Sequence, residues 1–323
     1  MPTSLAFGLI GAGWIGSFHA ETLASRLPNT RLVAVADPVP DAAERFPGQR
    51  VYREPLELIA DPDVEAVAIC SPATSHTDLV VAAAQAGKHV FCEKPMALTL
   101  ADADRAIAAA RTAGVALQVG FNRRFAEDFA AMRDGIDAGA VGTPQLLRSL
   151  TRDPGISVDV AARVKPWTIF NETLIHDFDT LCWLNPGARV TEVYAQADAL
   201  VHPQFAEQGF LDTSVVQMRF DNGAFAVAEA SFQAVYGYDI RGEVFGSGGV
   251  LQAGLAPAQA GRVNTELFAD AYTAQFADFA ARVLAGSEPS VSGFDARVAL
   301  EIALAARESI ETKAPVMLNR VPA

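Results

Sequence analysis

The sequence is poor in cysteine, which limits the disulfide and metal chemistry that it can support. Only 3 of its 323 residues are cysteines, Cys70, Cys92 and Cys182. They lie far apart and form no CxxC pair, so we expect neither a disulfide framework nor a zinc site. Such a composition fits a reducing cytoplasm, and we predict a cytoplasmic protein without a bound metal.

Positive charge is also scarce. The chain has 25 Lys and Arg against 38 Asp and Glu, a formal net charge of −13 and an isoelectric point of about 4.8. Binding to nucleic acid or to anionic lipid needs a basic surface, so we expect neither partner. A small-molecule ligand is the remaining expectation.

Long apolar runs are missing as well. The apolar segment 5–10 is followed by Gly11 and preceded by no Lys or Arg, which favours a strand over a signal peptide. No run approaches the roughly 18 apolar residues that a membrane span needs. The hydrophobic half of the sequence therefore belongs to cores, and this chain length predicts two domains.

The first part of the chain alternates short apolar strands with longer helical patterns. Its strands read LAFGLI, RLVAVAD, EAVAICS, KHVFCEK and VALQVGF. They are continuously apolar, as strands are when helices cover both faces of a parallel sheet. We predict a doubly wound α/β domain over residues 1–122.

The remainder, residues 123–323, follows another pattern. A strand near 145–152 and a helix from about Asn171 precede several strands in succession, which indicates an open, mostly antiparallel sheet. The turn at 221–223, Asp-Asn-Gly, predicts a hairpin. On the strand from Phe225, alternate alanines form one face. The opposite face meets either water or another subunit.

A glycine motif follows the first strand. Gly11, Gly13 and Gly16 form GxGxxG between a strand and a helix, the context that identifies a dinucleotide-binding turn. Asp37 ends the second strand, where a carboxylate binds ribose hydroxyls and repels a 2′-phosphate. We therefore predict a Rossmann domain that binds NAD. We include Trp14 and Ile15, within the motif, among the cofactor-binding residues, with simple packing as the alternative.

Glu93, Lys94 and Pro95 stand at the end of the fifth apolar strand, where ligands bind in an open parallel sheet. An EKP tripeptide after a dinucleotide fold resembles the Gfo/Idh/MocA family of oxidoreductases. The resemblance covers nearly the whole chain and is strongest to the inositol dehydrogenases. It extends to further segments that contain Ser71, Thr74 and His76, then Asn122 and Arg123, and finally Tyr236.

That resemblance implies roles for these residues. Ser71, Thr74, His76 and Glu93 would bind the cofactor with Lys94, and Asn122, Arg123 and Tyr236 would bind substrate. It also implies that an open sheet in the C-terminal α/β domain assembles dimers or tetramers, so we expect a homo-oligomer.

Glu172, His176 and Asp179 have the spacing i, i+4 and i+7 of one helix face. In the family pattern an acid precedes a catalytic histidine by four residues, which corresponds to Glu172 and His176. We predict that His176 accepts the alcohol proton, that Lys94 stabilises the alkoxide and that Glu172 orients the imidazole. Asp179 is expected to support the site or to cap the helix.

Two departures from the family pattern concern the substrate. The family usually has Asp where this chain has Glu172, and inositol dehydrogenases carry a Gly pair where this chain has the bulky segment 165–170. We place Trp167 of that segment at the substrate, with burial in the core as the alternative. We predict a sugar or cyclitol substrate, and we expect that myo-inositol is not the best one.

Three other functions compete with a cyclitol dehydrogenase. An aldose dehydrogenase or keto-sugar reductase of the same family would use the same residues. A regulator that binds the dinucleotide without turnover would not need both Lys94 and His176. A metal-dependent hydrolase with Glu172, His176 and Asp179 as ligands is disfavoured, because these residues would span roughly 10 Å along the helix.

Overall fold

The computed structural model describes residues 4–39, 45–254 and 264–318. The chain forms two compact units. Unit 1 comprises Met1–Phe125 and Phe268–Arg297, and unit 2 comprises Ala126–Leu267 and Val298–Ala323. The predicted fold class, a Rossmann domain followed by an α/β domain with a mostly antiparallel sheet, is confirmed.

The strands are, in chain order, β1 (Leu5–Ile10), β2 (Thr30–Ala36), β3 (Arg50–Tyr52), β4 (Ala66–Ile69), β5 (His89–Cys92), β6 (Leu117–Val119), β7 (Pro144–Arg152), β8 (Val190–Asp198), β9 (Thr213–Phe220), β10 (Phe225–Ser231), β11 (Asp239–Gly246), β12 (Gly249–Ala253) and β13 (Val316–Met317). The helices are α1 (Trp14–Glu21), α2 (Pro55–Ala60), α3 (Ala73–Gln85), α4 (Leu100–Ala113), α5 (Glu127–Asp137), α6 (Val158–Ala161), α7 (Ile175–Trp183), α8 (Asn264–Leu267), α9 (Ala269–Ala285) and α10 (Gly293–Thr312). Within the described ranges, no helix combines the length and the apolar character that crossing a bilayer requires.

Unit 1 is built on a parallel sheet with the strand order β3-β2-β1-β4-β5-β6. This is the order of a dinucleotide-binding sheet, and its strand order reverses between β1 and β4. The five strands expected from their apolar runs are all present. Strand β3 was not expected, because its three residues lie at the sheet edge and are only partly buried.

The domain division differs from the continuous one expected from the sequence. The first unit ends close to residue 122, at Phe125, but it also includes a late segment that contains α9. The reason is aromatic packing: Phe276 lies 4.1 Å from Phe91 and 6.0 Å from Phe7 between ring centroids, and Phe279 joins the same core cluster. Burying these rings against β1 and β5 outweighs proximity in the chain.

Unit 2 contains a sheet with the order β12-β11-β7-β10-β9-β8-β13. Strands β7 and β10 run parallel, and the other neighbouring pairs are antiparallel. The predicted hairpin is confirmed: β9 and β10 pair antiparallel around a turn in which Gly223 has a φ of 89°.

The two faces of this sheet differ in burial. Ala226, Ala228 and Ala230 of β10 are buried, so the small-residue face is the one that packs. The opposite face is exposed and carries large apolar side chains on four neighbouring strands. Val250, Phe245, Leu146 and Phe225 are successive register partners across these strands. Together they form a row of exposed apolar side chains.

Candidate active site

The glycine loop of unit 1 has the backbone that the motif predicts. Gly11 has a φ of +89°, and a Cβ there would lie 2.6 Å from the backbone nitrogen of Ser71. A Cβ on Gly16 would collide with the carbonyl oxygen of Gly11, whereas one on Gly13 would meet no atom within 4 Å. The loop therefore packs closely on the protein side and is open at the start of α1, which fits a pyrophosphate.

The two residues inside the motif behave differently. Trp14 is 62% exposed at the first turn of α1, whereas Ile15 packs against the core of unit 1. The Ile15 side chain therefore packs on the protein and the Trp14 side chain faces outward, and both residues stay predicted cofactor contacts.

Asp37 lies at the carboxyl end of β2 and is almost buried. Its Oδ2 accepts a hydrogen bond from the Ala12 backbone N–H at 2.6 Å, and its Oδ1 accepts one from Val39 at 2.9 Å. Each carboxylate oxygen can accept a second bond, which leaves capacity for two ribose hydroxyls. Arg45, which we did not single out from the sequence, donates to the Ala12 carbonyl at 2.8 Å.

The segment after β4 contains Ser71, Thr74 and His76. Thr74 is exposed and Ser71 half-buried, whereas His76 is 1% exposed. The His76 ring bridges two backbone carbonyls: Nδ1 lies 2.8 Å from the Pro95 oxygen and Nε2 lies 2.7 Å from the Ser71 oxygen. The ring thus joins the loop after β4 to the loop after β5.

Glu93 and Lys94 follow β5. Lys94 is half-buried, and the buried Glu93 accepts hydrogen bonds from His19 Nε2 at 2.7 Å and from the Lys94 backbone N–H at 3.2 Å. Burial alone would raise the pKa of Glu93, but His19 and the Lys94 charge outweigh burial and lower that pKa. Sequence reasoning missed His19, although it follows Gly16 by three residues.

Asn122 and Arg123 lie in a 3₁₀ turn, Asn122–Phe125, and each is 3% exposed. The next residue, Arg124, forms an ion pair with Asp295 at 3.0 Å, within unit 1. Burial would raise the pKa of Asp295, but Arg124 and hydrogen bonds from Ser292 lower it. The ion pair with Asp295 therefore holds Arg124, at the end of this segment, in place.

In unit 2 the predicted catalytic helix is not continuous. Glu172 lies in a π-helical turn, Ile169–Thr173, and His176 lies in the first turn of α7. Glu172 is exposed, His176 is half-buried and Asp179 is 2% exposed. The three side chains therefore differ in burial, and a π turn stands before the α-helix that carries His176 and Asp179.

The helix that carries His176 is anchored by the next residue. Asp177 is fully buried and accepts hydrogen bonds from Ser149 Oγ at 2.5 Å and Thr151 Oγ1 at 2.6 Å, both on β7. Thr180 Oγ1 also donates to the His176 carbonyl at 2.7 Å. Asp177 could not be predicted from residue spacing, since an acid on the sheet side of a helix has no signature in one sequence.

Trp167 occupies a backbone conformation that suits glycine. Its φ is 68°, which is unusual for a bulky residue. The half-buried indole and the Phe170 ring have centroids 6.3 Å apart and planes inclined by 26°, and the Arg307 guanidinium lies 5.0 Å from the indole centroid. The ring is therefore already engaged within unit 2.

Tyr236 belongs to a polar network in unit 2. Its hydroxyl donates to Asp239 at 3.0 Å and accepts from Arg152 at 3.3 Å, and Arg241 also binds Asp239. Burial, together with the nearby charge of Asp153, raises the pKa of Tyr238 to about 12. Across the described part of the chain, no group of three or more His, Cys, Asp or Glu side chains is arranged to hold a metal ion.

Comparison with known families accounts for both units. Residues 5–121 match an oxidoreductase family with an NAD-binding Rossmann fold, and residues 129–252 match the GFO/IDH/MocA C-terminal domain. The chain belongs to this oxidoreductase family. The resemblance seen in the sequence is thereby confirmed.

Relatives cover the whole chain. It is 39% identical to the myo-inositol 2-dehydrogenase of Thermotoga maritima, over 98% of this chain and 99% of that protein. It is 33% identical to the scyllo-inositol 2-dehydrogenase (NAD(+)) of Bacillus subtilis, over 96% and 95% respectively. The crystal structure of the Lactobacillus casei scyllo-inositol dehydrogenase with NAD(H) and scyllo-inositol has a TM-score of 0.90 at 26% identity and covers 97% and 99% of the two chains.

Membership of this family makes the chain an NAD-dependent oxidoreductase. The predicted cofactor, NAD, is confirmed, and it agrees with the open glycine loop and with the position of Asp37. Lys94 belongs to unit 1, and Glu172 and His176 belong to unit 2.

Proposed function

We propose that this enzyme oxidises a secondary alcohol of a cyclitol of the inositol class to the ketone and reduces NAD. The observation that supports this most strongly is likeness over the full chain to enzymes that carry the name inositol dehydrogenase. Retention of Lys94 and His176, with the acid Glu172 four residues before the histidine, agrees with it. When bound, NAD supplies the hydride acceptor.

In this proposal, oxidation removes a hydride from the carbinol carbon and a proton from its hydroxyl oxygen. His176 accepts that proton, as a neutral imidazole can do. Lys94 donates a hydrogen bond to the same oxygen and stabilises its developing negative charge. Glu172 orients the His176 imidazole and stabilises its cationic form.

The cofactor contacts form a second part of the proposal. Gly11, Gly13 and Trp14 would face the pyrophosphate, and Asp37 would bind the adenosine ribose. Ser71, in the loop after β4, and Thr74, in the first turn of α3, present accessible side chains. His76 and Glu93 would act through the loops that they hold, since both side chains are buried.

Asn122, Arg123, Tyr236 and Trp167 remain our candidates for substrate recognition. Trp167 is relevant to the choice of ring, because it places a large planar side chain in the segment directly before Glu172. This segment departs from the Gly pair of the inositol dehydrogenases. We therefore propose a cyclitol other than myo-inositol as the best substrate.

A substrate panel tests both proposals. The unmodified enzyme would be assayed with NAD and with myo-inositol, scyllo-inositol, other cyclitols and pyranose sugars, following the absorbance of reduced nicotinamide. We expect the highest kcat/KM for a cyclitol other than myo-inositol. A tenfold lead for myo-inositol would refute the specificity proposal, and a leading aldose or keto sugar would refute the cyclitol assignment. NAD binding without turnover of any substrate would favour a regulator.

We also propose a cytoplasmic homo-oligomer, either a dimer or a tetramer. The exposed row of Val250, Phe245, Leu146 and Phe225 favours association of subunits, because soluble monomers rarely expose large contiguous apolar patches. Three free thiols agree with a reducing compartment. Light scattering of the unmodified chain and of Phe225→Glu would test the assembly, and a monomeric unmodified chain would refute it.

A further inference from the structure

The two chain neighbours of Lys94 are each held by a buried histidine. Glu93, before it, accepts a hydrogen bond from His19 Nε2 at 2.7 Å. Pro95, after it, has its carbonyl oxygen 2.8 Å from His76 Nδ1. The two histidines are 0% and 1% exposed, and both lie in unit 1 with Lys94.

The contact of His19 is made in apolar surroundings. Its ring centroid lies 4.9 Å from that of Phe276, 5.5 Å from that of Tyr272 and 6.2 Å from that of Phe91. A carboxylate buried there is costly unless it is hydrogen-bonded, so Glu93 is confined to the position where His19 and the Lys94 N–H reach it. His19 thereby fixes the chain immediately before Lys94.

The contact of His76 acts on the other side. Its second ring nitrogen, Nε2, lies 2.7 Å from the Ser71 oxygen, so the same ring joins the loop after β4 to Pro95. The next residue of α3, Thr77, donates to the Met96 carbonyl at 3.5 Å. Residues of α3 thus hold the chain immediately after Lys94.

We propose that His19 and His76 are positioning residues for Lys94, fixing its orientation through Glu93 and Pro95. This inference rests on the proposed role of Lys94. Helix α1, which carries His19, begins at the glycine loop, and α3, which carries His76, begins beside Ser71. The two histidines therefore link the cofactor-binding loops to the lysine.

Replacing each histidine by asparagine or by glutamine tests the positioning role, because each amide can replace only one of the two ring nitrogens. An asparagine amide nitrogen lies near the position of histidine Nδ1, and a glutamine amide nitrogen near that of Nε2. Because His19 uses Nε2, we expect His19→Gln to stay within about threefold of the normal kcat and His19→Asn to lose about tenfold. His76 holds Pro95 through Nδ1, so we expect the opposite order at this position. His76→Asn should keep its kcat within about threefold of the normal value, and the kcat of His76→Gln should fall about tenfold.

The affinity for NAD separates positioning of Lys94 from other roles. We expect fluorescence quenching to give dissociation constants within about threefold of the unmodified value for both His19 variants and for His76→Gln, which keeps the contact with Ser71, whereas His76→Asn loses that contact and should bind NAD more weakly. His89, at the other end of β5, accepts from the Ala116 N–H at 3.1 Å and supplies the control. His89→Gln should lower the unfolding temperature without changing kcat. The same order of kcat for Asn and Gln at both positions, or losses that appear only in NAD affinity, would overturn the inference.

Lys94→Ala distinguishes this inference from the proposed function. If Lys94→Ala keeps normal turnover, the role of Lys94 is wrong. If Lys94→Ala loses turnover while His19→Asn and His76→Gln keep it, only the positioning inference fails. In the Lys94→Ala background, adding His19→Asn should lower the residual kcat by less than about twofold, because the residue through which it acts has gone.

Discussion

The two units fix their functional side chains in different ways. In unit 1 the residues follow the carboxyl ends of parallel strands, and glycines and backbone contacts set their positions, as at Gly11 and Asp37. In unit 2, His176 lies on a helix whose orientation depends on Asp177 and two hydroxyls of β7. Strand ends are readable from a sequence, whereas contacts between a helix and a sheet are not.

Substitutions should therefore have different first effects in the two units. In unit 1, replacing a residue at a strand end should change cofactor use or turnover directly. In unit 2, replacing the anchor should first change stability, because Asp177 is buried and lies on the sheet side of α7.

The largest effect should come from one residue in each unit. Lys94→Ala and His176→Ala should each lower kcat by about a hundredfold or more, since one removes charge stabilisation and the other the proton acceptor. NAD binding, followed by fluorescence quenching, should persist in both. Lys88→Ala, at the other end of β5, is the control and should keep its kcat. Near-normal turnover in either variant would remove that residue from the mechanism.

The second-largest effect should be a loss of NAD use when Asp37, in unit 1, is replaced. Asp37→Ala should lower kcat/KM for NAD by about thirtyfold, since hydrogen bonds that ribose hydroxyls donate to a carboxylate contribute roughly 2 kcal/mol. The value for NADP should change much less. Comparing the two cofactors with both proteins measures the effect, and equal use of NADP by the unmodified enzyme would contradict it.

Substituting Asp177, the residue that anchors α7 in unit 2, should lower the free energy of unfolding. Asp177→Ala leaves the hydroxyls of Ser149 and Thr151 without their acceptor in a buried site, and should cost about 2–3 kcal/mol of unfolding free energy. Asp177→Asn retains one acceptor oxygen and should cost less. Urea unfolding gives both values. If the two substitutions cost the same, the paired hydroxyl contacts are not the cause.

The smallest effect is a pH-dependent contribution in unit 1. The pKa of Asp295 is lower in the folded protein, so its stabilisation is fully present above the unfolded value of about 3.9. It is lost as pH falls through the lower folded pKa. The difference in unfolding free energy between the unmodified protein and Asp295→Asn should therefore be constant from pH 5 to 7 and shrink below about pH 4. Arg124→Gln should remove most of this dependence, and a difference that grows in acid would contradict the assignment.

Much of unit 1 could be predicted from the sequence. Continuous apolar runs identify the buried parallel strands, and Gly11, Gly13 and Gly16 identify the turn, because a parallel sheet and a tight turn each restrict the residues that fit. The EKP segment identified Lys94 through a family resemblance. In unit 2 the hairpin at 221–223 was equally clear, since its turn needs residues that tolerate a positive φ.

Tertiary structure decided the remainder. Phe276 and Phe279 pack a helix from late in the chain into the core of unit 1. His19 forms a hydrogen bond with Glu93, which is 74 positions further along the chain. Spacing alone did not predict the π turn that ends before α7 or the contacts of Asp177 with β7. The physical reason is that strand and turn signals arise from neighbours in the chain, whereas burial and hydrogen bonding of a side chain depend on which distant residues complete its surroundings.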